Sequence, residues 1–558
     1  MKLWDLKKHA ILIVDDFPEM RSTLRGMLLP WQPKRVDTAR NGDEAIERLQ
    51  QDRYDIILCD FNLGDGKNGQ QVLEEARYRN LLPFSSIFIM ISAETSAQMV
   101  MGALEQQPDG YISKPVTRVT LQLRLRKFVE KQQALRPVTR ALDSKRFREA
   151  ITHIDQYLAG SNKYRFELYK LKSELLIRIG DYEKSEILCQ AVLDGRDLPW
   201  ARFDLGRIRY FAQDYAAAAE TFEHILANQP NFIAAWDWLA RAREKLGRLR
   251  EAQDALMEGV QRSPQSLLRQ RMLAEIADRN DDLDTTEAAR RRAIRVGKGS
   301  ILRRPGDYAA LSRVLVRREA GKEALRIAGA IRTEFGDSPL AQLEAAAASS
   351  DALLALDKPQ EASAALDDAL TLARAHPELL DTELGMSLTR CCLAQDRPEA
   401  ADEVVRNVIS RHHDDPSTLD RIRALYEKSG GAGIDNLIEQ TRKEIVRINN
   451  QGVKLLRDGD IEASIELFSQ AAAGMPHNPV INLNAAQSLV QRMRKQGVTR
   501  EDLGRALGHI QAAGDHEQHR ERQNRLLESC RELAAQLPQP APEQTADARE
   551  DTPNREPA

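Results

Sequence analysis

The 558-residue sequence has few cysteines, few aromatic residues and no long apolar run. Its five cysteines form no C-x-x-C pair and share no spacing with histidines, which argues against a disulfide framework or a structural zinc site. No apolar stretch approaches the roughly 18 residues that span a bilayer. The apolar run that ends at Val14 is too short for a signal peptide. We therefore expect a cytoplasmic protein with reduced thiols.

Neither sign of charge dominates, because 81 Lys and Arg residues face 84 Asp and Glu, a formal net charge of -3. This balance argues against a protein that coats nucleic acid by charge alone. The sequence also contains no nucleophile elbow and no P-loop. Alanine is abundant from about residue 200 onward and charged residues make up 30% of the chain, which is typical of packed helices.

Residues 1–130 alternate short apolar runs with helical stretches. The runs are residues 10–14, 54–59, 87–91 and 111–113. This pattern predicts a doubly wound α/β domain with a parallel sheet that is covered on both faces. Each run ends in polar residues, and the carboxyl ends of parallel strands meet at one edge of the sheet. We therefore expect these polar side chains to form a site.

Three carboxylates are predicted to meet at that edge, from Asp15, Asp16 and Asp60. Carboxylates at close range repel one another unless a cation is shared, and oxygen ligands suit Mg²⁺. Asp15 and Asp16 would then hold the metal, and Asp60 would be the nucleophile that forms an acyl phosphate. Lys114 would offer its ammonium group to the transferring phosphoryl group.

These residues occur in the order, and near the spacing, that is typical of one family. The full set is Asp15-Asp16, Asp60, Ser92-Ala93, Tyr111 and Lys114-Pro115. The head resembles the receiver domains of two-component response regulators. That resemblance implies a CheY-like five-stranded parallel sheet and phosphorylation of Asp60 by a histidine kinase with Mg²⁺.

The resemblance also implies roles for individual residues. The backbone carbonyl of Asn62 would be the third protein ligand of the metal, and Pro115 would follow a cis peptide bond. Ser92 and Tyr111 would form the switch that responds to the phosphoryl group. The sequence FNLGDGKNG after Asp60 is longer and more polar than the family's L-P-x-x-x-G pattern.

From about residue 131 the strand pattern stops and a 34-residue period begins. The pairs at this spacing are Gly206 and Ala240, Ala218 and Ala252, Phe222 and Leu256, and Pro230 and Pro264. Small residues at fixed offsets with this period predict an all-α solenoid of helix pairs. The stretch resembles tetratricopeptide (TPR) repeats, a family that binds peptides or partner helices in a concave groove.

We assign repeats to residues 131–414 and 444–536 and an irregular helical hinge to residues 415–443, where glycines occur at 430, 431 and 433. Residues 537–558 contain five prolines and are predicted to be disordered. Asn450 and Asn484, 34 residues apart, are candidates for the partner groove. Equally, they are explained as ordinary polar residues of a helix.

Other polar groups are better explained as solvated surface. They are the segment of residues 412–415 (HHDD), the pair His516 and His519, and the basic residues between 290 and 304. The basic stretch contains no interleaved aromatic residues, so we expect a charged outer helix face rather than a nucleic-acid site.

Three functions remain open at this point. The first is an adaptor in which phosphorylation of the receiver changes how the helical array binds a partner protein, with homodimerisation on phosphorylation as a further hypothesis. The second is a phosphoryl sink or inhibitor that competes for a kinase's phosphate. The third, which we favour least, is a transcription regulator. None of these is an enzyme apart from the receiver's own phosphorylation and dephosphorylation.

Overall fold

The computed structural model describes residues 6–93, 108–412, 416–428, 433–474, 478–514 and 517–536. The chain divides into two compact units, Met1–Ala330 and Ile331–Ala558. The first unit begins with an α/β domain and continues into helices, and the described part of the second unit is helical throughout. The predicted fold class, an α/β head followed by an all-α array, is confirmed.

The head contains one sheet of five parallel strands in the order β2-β1-β3-β4-β5. The strands are β1 (Ala10–Val14), β2 (Arg35–Ala39), β3 (Ile56–Asp60), β4 (Ile87–Ser92) and β5 (Gly110–Ser113). Strand β1 pairs with β2 on one side and with β3 on the other. The direction of winding therefore reverses at β1, and a crevice opens beyond the carboxyl ends of β1 and β3.

Helices cover both faces of this sheet. The helices of the head are α1 (Pro18–Leu28), α2 (Gly42–Gln51), α3 (Gly69–Tyr78) and α4 (Arg118–Ala134). On one face, Leu12 and Ile57 pack with apolar residues of α2 and α3. On the other face, Ile11 and Leu58 pack with α1 and α4. Successive strand residues point to opposite faces, so the continuous apolar runs of β1 and β3 are buried on both sides.

Helix follows helix through the rest of the first unit. The bounds are α5 (Arg136–Asp143), α6 (Phe147–Gly160), α7 (Arg165–Arg178), α8 (Tyr182–Gly195), α9 (Pro199–Phe211), α10 (Tyr215–Asn228), α11 (Ile233–Lys245), α12 (Leu249–Arg262), α13 (Leu267–Arg279), α14 (Leu283–Gly297), α15 (Pro305–Arg317) and α16 (Gly321–Phe335). The division between the two units falls within α16.

The second unit continues the helical pattern. Its helices are α17 (Pro339–Ala355), α18 (Pro359–Ala375), α19 (Thr382–Ala394), α20 (Pro398–His412), α21 (Pro416–Lys428), α22 (Ile434–Asp458), α23 (Ile461–Gly474), α24 (Pro479–Gln496), α25 (Arg500–Ala512) and α26 (Arg520–Ala534). None of the described helices in either unit combines the length and the apolar composition needed to cross a bilayer.

The described helices α21 and α22 occupy much of the segment assigned as a hinge, and Gly433 precedes α22 with a φ of 81°. Residues 429–432 and the tail from 537 onward lie outside the described residues. At the other end of the array, α4 continues through residue 130 to Ala134 before α5 begins. The junction between head and array is therefore a pair of consecutive helices.

A contact between a small and a large residue, 16 positions apart, recurs in the array. A Cβ added at Gly206 in α9 would lie 2.6 Å from the ring of Phe222 in α10. In the second unit, a Cβ added at Gly452 in α22 would lie 2.5 Å from the ring of Phe468 in α23. Both rings are fully buried. Glycine at the first position lets the two helices of a pair approach until the ring fills the space between them.

We predict that Gly206→Ala destabilises the first unit by about 1–3 kcal/mol, because the methyl group must displace the buried Phe222 ring. The matched control is Gly329→Ala in α16, where no atom lies within 4 Å of the added Cβ. That change should stabilise the unit by about 0.5–1 kcal/mol through helix propensity. Urea unfolding followed by tryptophan fluorescence measures both, and a Gly206→Ala protein as stable as the wild type would contradict the packing argument.

Candidate functional site

The carboxyl edge of the sheet brings together side chains that are far apart in sequence. Asp15 and Asp16 follow β1, and Asp60 is the last residue of β3. The register pairs Val14 with Cys59, so the residues that follow lie side by side. Carboxylate oxygens of Asp15, Asp16 and Asp60 all lie within 4.8 Å of one another. The cluster predicted from the sequence is therefore formed by strand register.

Lys114 reaches this cluster from the end of β5. Its Nζ lies 2.7 Å from Oδ2 of Asp60 and 3.0 Å from Oδ2 of Asp15. The Lys114–Pro115 peptide bond is cis, as the resemblance implied. Burial works to lower the pKa of Lys114, but its hydrogen bonds to Asp60 and Asp15 outweigh it and the pKa is raised. The lysine is therefore an ammonium group throughout the physiological pH range.

Asp60 is a largely buried acid. Only 5% of Asp60 is exposed, and only 1% of Asp15. Burial raises the pKa of Asp60 above its ordinary value, and the hydrogen bond from Lys114 opposes part of that rise. An opposite charge within hydrogen-bond distance favours the ionised form of a buried carboxyl group. Lys114 thus helps to keep Asp60 in the form that can act as a nucleophile.

The acidic cluster has the donor set for a hard divalent cation. Oδ1 of Asp16 is buried and has no hydrogen-bond partner among the residues that the structure describes. Three carboxylates face one ammonium group here, which leaves an excess of negative charge in a poorly solvated place. Buried charges of this kind are normally paired or bound to a metal. The side chains of Asp15, Asp16 and Asp60 therefore fit Mg²⁺, which prefers oxygen ligands.

The loop after β3 is shaped by its glycines. Gly64 and Gly66 have φ values of 73° and 101°, a region that favours glycine. The carbonyl of Asp60 lies against Gly69 and leaves no room for a Cβ there. Asn62, whose carbonyl is the predicted third metal ligand, lies in this loop with an exposed side chain. Its position two residues after Asp60 is compatible with that role.

The two residues predicted to form the switch lie on neighbouring strands. Ser92 ends β4 and is buried, and its carbonyl accepts a hydrogen bond of 2.8 Å from the backbone N–H of Lys114. Tyr111, in β5, lies opposite Met90 of β4. It is partly buried and packs against the core on the face that α2 and α3 cover. Residues 94–107 between the two strands lie outside the described residues. The predicted switch pair is thus connected to Lys114 through the β4–β5 backbone.

One residue of this edge was not predicted from the sequence. The Nη1 atom of Arg21, in α1, donates to the backbone carbonyls of Asp15 and Asp16 at 2.6 and 3.1 Å. It therefore holds the backbone of the acid pair. Its spacing of six residues from Asp15 places it in the first turns of the next helix, but arginine is too common in this chain for that spacing to single it out.

Comparison with known proteins agrees with this geometry. Residues 11–126 match the response regulator receiver domain family. The chemotaxis protein CheY-3 of Vibrio cholerae is 31% identical over 125 residues, which are 22% of this chain and 95% of that protein. CheY of Pseudomonas aeruginosa is 28% identical over 121 residues, 22% of this chain and 96% of that protein. The chain belongs to the CheY-like receiver family.

The receiver domain also resembles solved structures, and the helical array has a match of its own. A CheY-like receiver domain from Methanospirillum hungatei JF-1 is 26% identical and covers 22% of this chain and 96% of its own, with a TM-score of 0.21. Residues 233–266 match the tetratricopeptide repeat family. These residues comprise α11 and α12 and lie within the stretch whose 34-residue period predicted such repeats.

The remaining candidates of the sequence have less distinctive surroundings. Asn484 is buried, and its amide contacts Asn449 and Arg522, whereas Asn450 is exposed. The two predicted groove residues therefore occupy different environments. All five cysteines are buried and free. In the basic stretch, Arg291 is paired with Glu287 and Glu323. Residues 413–415 and His516 lie outside the described residues.

We predict that Asp16→Asn lowers the affinity for Mg²⁺ by roughly tenfold or more, because it removes a full negative charge within contact distance of the ion. Isothermal titration calorimetry with Mg²⁺ measures this change. Glu47→Gln, which removes the same charge from the exposed face of α2, is the matched control and should bind like the wild type. Equal affinities in all three proteins would show that Asp16 is not a ligand.

Proposed function

We propose that this receiver domain is phosphorylated on Asp60 by a histidine kinase. The observation that carries the proposal is the contact of Asp60 with Lys114 within a cluster of three carboxylates. A carboxylate held at 2.7 Å from an ammonium group stands beside a cation that can stabilise charge on an incoming phosphoryl group. A carboxylate with an ammonium group and two further carboxylates beside it is an arrangement that supports phosphoryl transfer with a bound divalent cation.

In the proposed reaction, an oxygen of the Asp60 carboxylate attacks the phosphorus atom of a phosphohistidine. The new O–P bond forms as the P–N bond breaks, and the imidazole leaves with the electron pair and takes a proton from solvent. Lys114 then moves its hydrogen bonds toward the phosphoryl oxygens. Asp15, Asp16, Asp60 and the carbonyl of Asn62 would hold Mg²⁺. When bound, Mg²⁺ supplies positive charge that offsets the charge of the phosphoryl group.

We further propose that the helical array binds a partner protein and that phosphorylation changes this binding. The TPR match at residues 233–266 supports protein binding, because TPR-type helix pairs stack into extended concave surfaces. The protein would then have no enzymatic activity beyond phosphorylation and dephosphorylation of its own Asp60. Its output would be bounded by the difference in partner affinity between the two receiver states.

Incubation with acetyl phosphate and Mg²⁺ should attach one phosphoryl group, which intact-protein mass spectrometry detects and hydroxylamine removes. We expect Asp60→Asn to abolish the modification and Lys114→Ala to slow it by roughly a hundredfold, the usual scale for loss of one charge-stabilising group. Chelation of Mg²⁺ should also abolish it. Glu47→Gln should react like the wild type. A phosphoryl group that persists in Asp60→Asn would refute the assignment.

Partner binding is testable by affinity capture with the full-length protein in Mg²⁺, with and without beryllofluoride. The control is Asp60→Ala under the same conditions. We expect a bound protein whose capture changes by about fivefold or more with beryllofluoride, the ordinary scale of coupling between two sites, and does not change in the mutant. Equal capture in every condition would indicate a constitutive scaffold. Capture of a histidine kinase alone would favour a phosphoryl sink.

A further inference from the structure

A turn of the helical array rests on the receiver domain close to the acidic site. We name residues 298–302, between α14 and α15, the docking turn. The side-chain amide of Gln71, in α3, donates to the carbonyls of Val296 and Lys298 at 3.2 and 3.1 Å. The hydroxyl of Ser300 donates to the carboxylate of Glu74. Residues more than 220 positions apart are therefore joined by direct hydrogen bonds.

Of the two carbonyls that Gln71 binds, that of Val296 lies in the last turn of α14 and that of Lys298 directly follows the helix. The last carbonyls of a helix have no partner within the helix and are satisfied by side chains, water or other groups. Here the receiver supplies the donor, since Gln71 caps the carboxyl end of a helix of the array. This gives the contact a direction and a geometry that a chance apposition of two surfaces does not have.

The docking turn also contacts the loop that follows Asp60. A Cβ added at Gly299 would lie 3.3 Å from the carbonyl oxygen of Gly66 and 3.1 Å from Oε1 of Gln71. Farther back along the same loop, a Cβ added at Gly64 would lie 3.4 Å from Oδ2 of Asp16. One short loop thus contacts the acidic cluster at one end and the docking turn at the other.

Gln71 fixes the loop and the docking turn together. Its Oε1 accepts a hydrogen bond of 3.1 Å from the N–H of Asn68, and its N–H donates to Oδ1 of Asn68 at 2.9 Å. This reciprocal capping box closes the loop onto the start of α3. The oxygen of the Gln71 amide therefore accepts a hydrogen bond from the loop, while the nitrogen donates hydrogen bonds to the end of α14 and the docking turn.

The array holds the docking turn in a defined shape. Arg271, in α13, makes two hydrogen bonds of 2.7 and 2.6 Å to the carboxylate of Asp307 and a third of 2.6 Å to the carbonyl of Leu302. Both charged residues are buried. The N–H of Leu302 in turn donates to Oγ of Ser300 at 3.0 Å. The surface that meets the receiver is therefore held by hydrogen bonds within the array.

We infer that the docking turn orders the loop after Asp60, so that docking of this turn and occupation of the acidic site by Mg²⁺ and a phosphoryl group strengthen each other. The inference rests on the proposed function. The loop has glycines at 64 and 66, just before α3 begins at Gly69, and ordering such a chain costs conformational entropy. When the docking turn has already restricted the loop, binding of Mg²⁺ and a phosphoryl group costs less conformational entropy.

The coupling is reciprocal. If docking raises the affinity of the site for Mg²⁺ by some factor, then binding of Mg²⁺ strengthens docking by the same factor. Gln71 is then a positioning residue that does not touch the phosphoryl group itself. The loop after Asp60 is longer and more polar than the family's usual pattern. The inference gives this difference a role, since the docking turn contacts this loop.

The test uses the full-length protein and the variant Gln71→Glu. A glutamate keeps the acceptor oxygen of the capping box but loses the amide donor and faces the carbonyls of Val296 and Lys298 with negative charge. We expect it to bind Mg²⁺, measured by calorimetry, at least about fivefold more weakly than the wild type. The added negative charge alone would strengthen Mg²⁺ binding, so a loss cannot be an effect of charge.

Two further variants complete the design. Ser300→Ala removes the hydrogen bond to Glu74 from the array side without altering the receiver, and it should also weaken Mg²⁺ binding. Gln50→Glu places the same new charge on an exposed position of α2 and should behave like the wild type. Hydrogen exchange of the backbone amides of residues 298–302 reports docking directly, and beryllofluoride with Mg²⁺ should slow it in the wild type but not in Asp60→Asn.

The outcomes separate the inference from the proposed function. If the wild type binds neither Mg²⁺ nor beryllofluoride, as followed by fluorine NMR, the proposed function fails. If it binds both, and Gln71→Glu and Ser300→Ala bind Mg²⁺ as tightly as the wild type, only the inference fails. It also fails if exchange at residues 298–302 is the same in all the proteins, because the contacts would then not hold the turn in place.

Discussion

The crowding of three carboxylates at one edge of a parallel sheet is the constraint on which the receiver domain depends. The in-register pairing of β1 with β3 places Asp15, Asp16 and Asp60 within 4.8 Å of one another, where they repel unless positive charge is supplied. Lys114 supplies part of it from the end of β5. Other residues of the edge support this arrangement. Arg21 donates hydrogen bonds to the backbone of the acid pair, and Gly69, which has no side chain, leaves room for the carbonyl of Asp60.

The helical array is governed by packing rather than by charge. In two of the described helix pairs a glycine allows the helices to approach, and a phenylalanine sixteen positions later fills the space between them, as Gly206 and Phe222 do and as Gly452 and Phe468 do. Because each pair buries only part of its apolar surface alone, stacking of successive pairs is what completes the core. Outside the apolar contacts, Arg291 forms ion pairs with Glu287 and Glu323, and partly exposed pairs of this kind carry little energetic weight.

The receiver and the first part of the array meet through polar contacts. Asp143, in α5, accepts hydrogen bonds from the N–H of Phe84 and the hydroxyl of Ser85, close to the junction of the two. The second contact is that of Gln71 and Glu74 with the end of α14 and the docking turn. Polar contacts of this kind are specific in geometry but modest in net free energy.

The class of the fold and the composition of the acidic site follow from local patterns in the sequence. Apolar runs of period and length typical of buried strands, each followed by polar residues, place Asp15, Asp16, Asp60 and Lys114 at one edge in any parallel sheet. The 34-residue period likewise predicts the helix pairs, because each repeat can be recognised from its own sequence. Strand β2, with the sequence RVDTA, was not among the apolar runs, because it lies at the edge of the sheet and is only half buried.

Contacts between groups far apart in the chain depend instead on how the whole chain folds. Nothing local to Gln71 predicts that its amide caps a helix that ends 226 residues later at Gly297. That contact depends on small rotations between successive helix pairs, which accumulate along the array and are set by packing at every step. The same reason explains why Asn450 and Asn484, which lie one 34-residue period apart, differ in environment. Sequence patterns report what each segment buries, while the partner across an interface depends on the path of the whole chain between them.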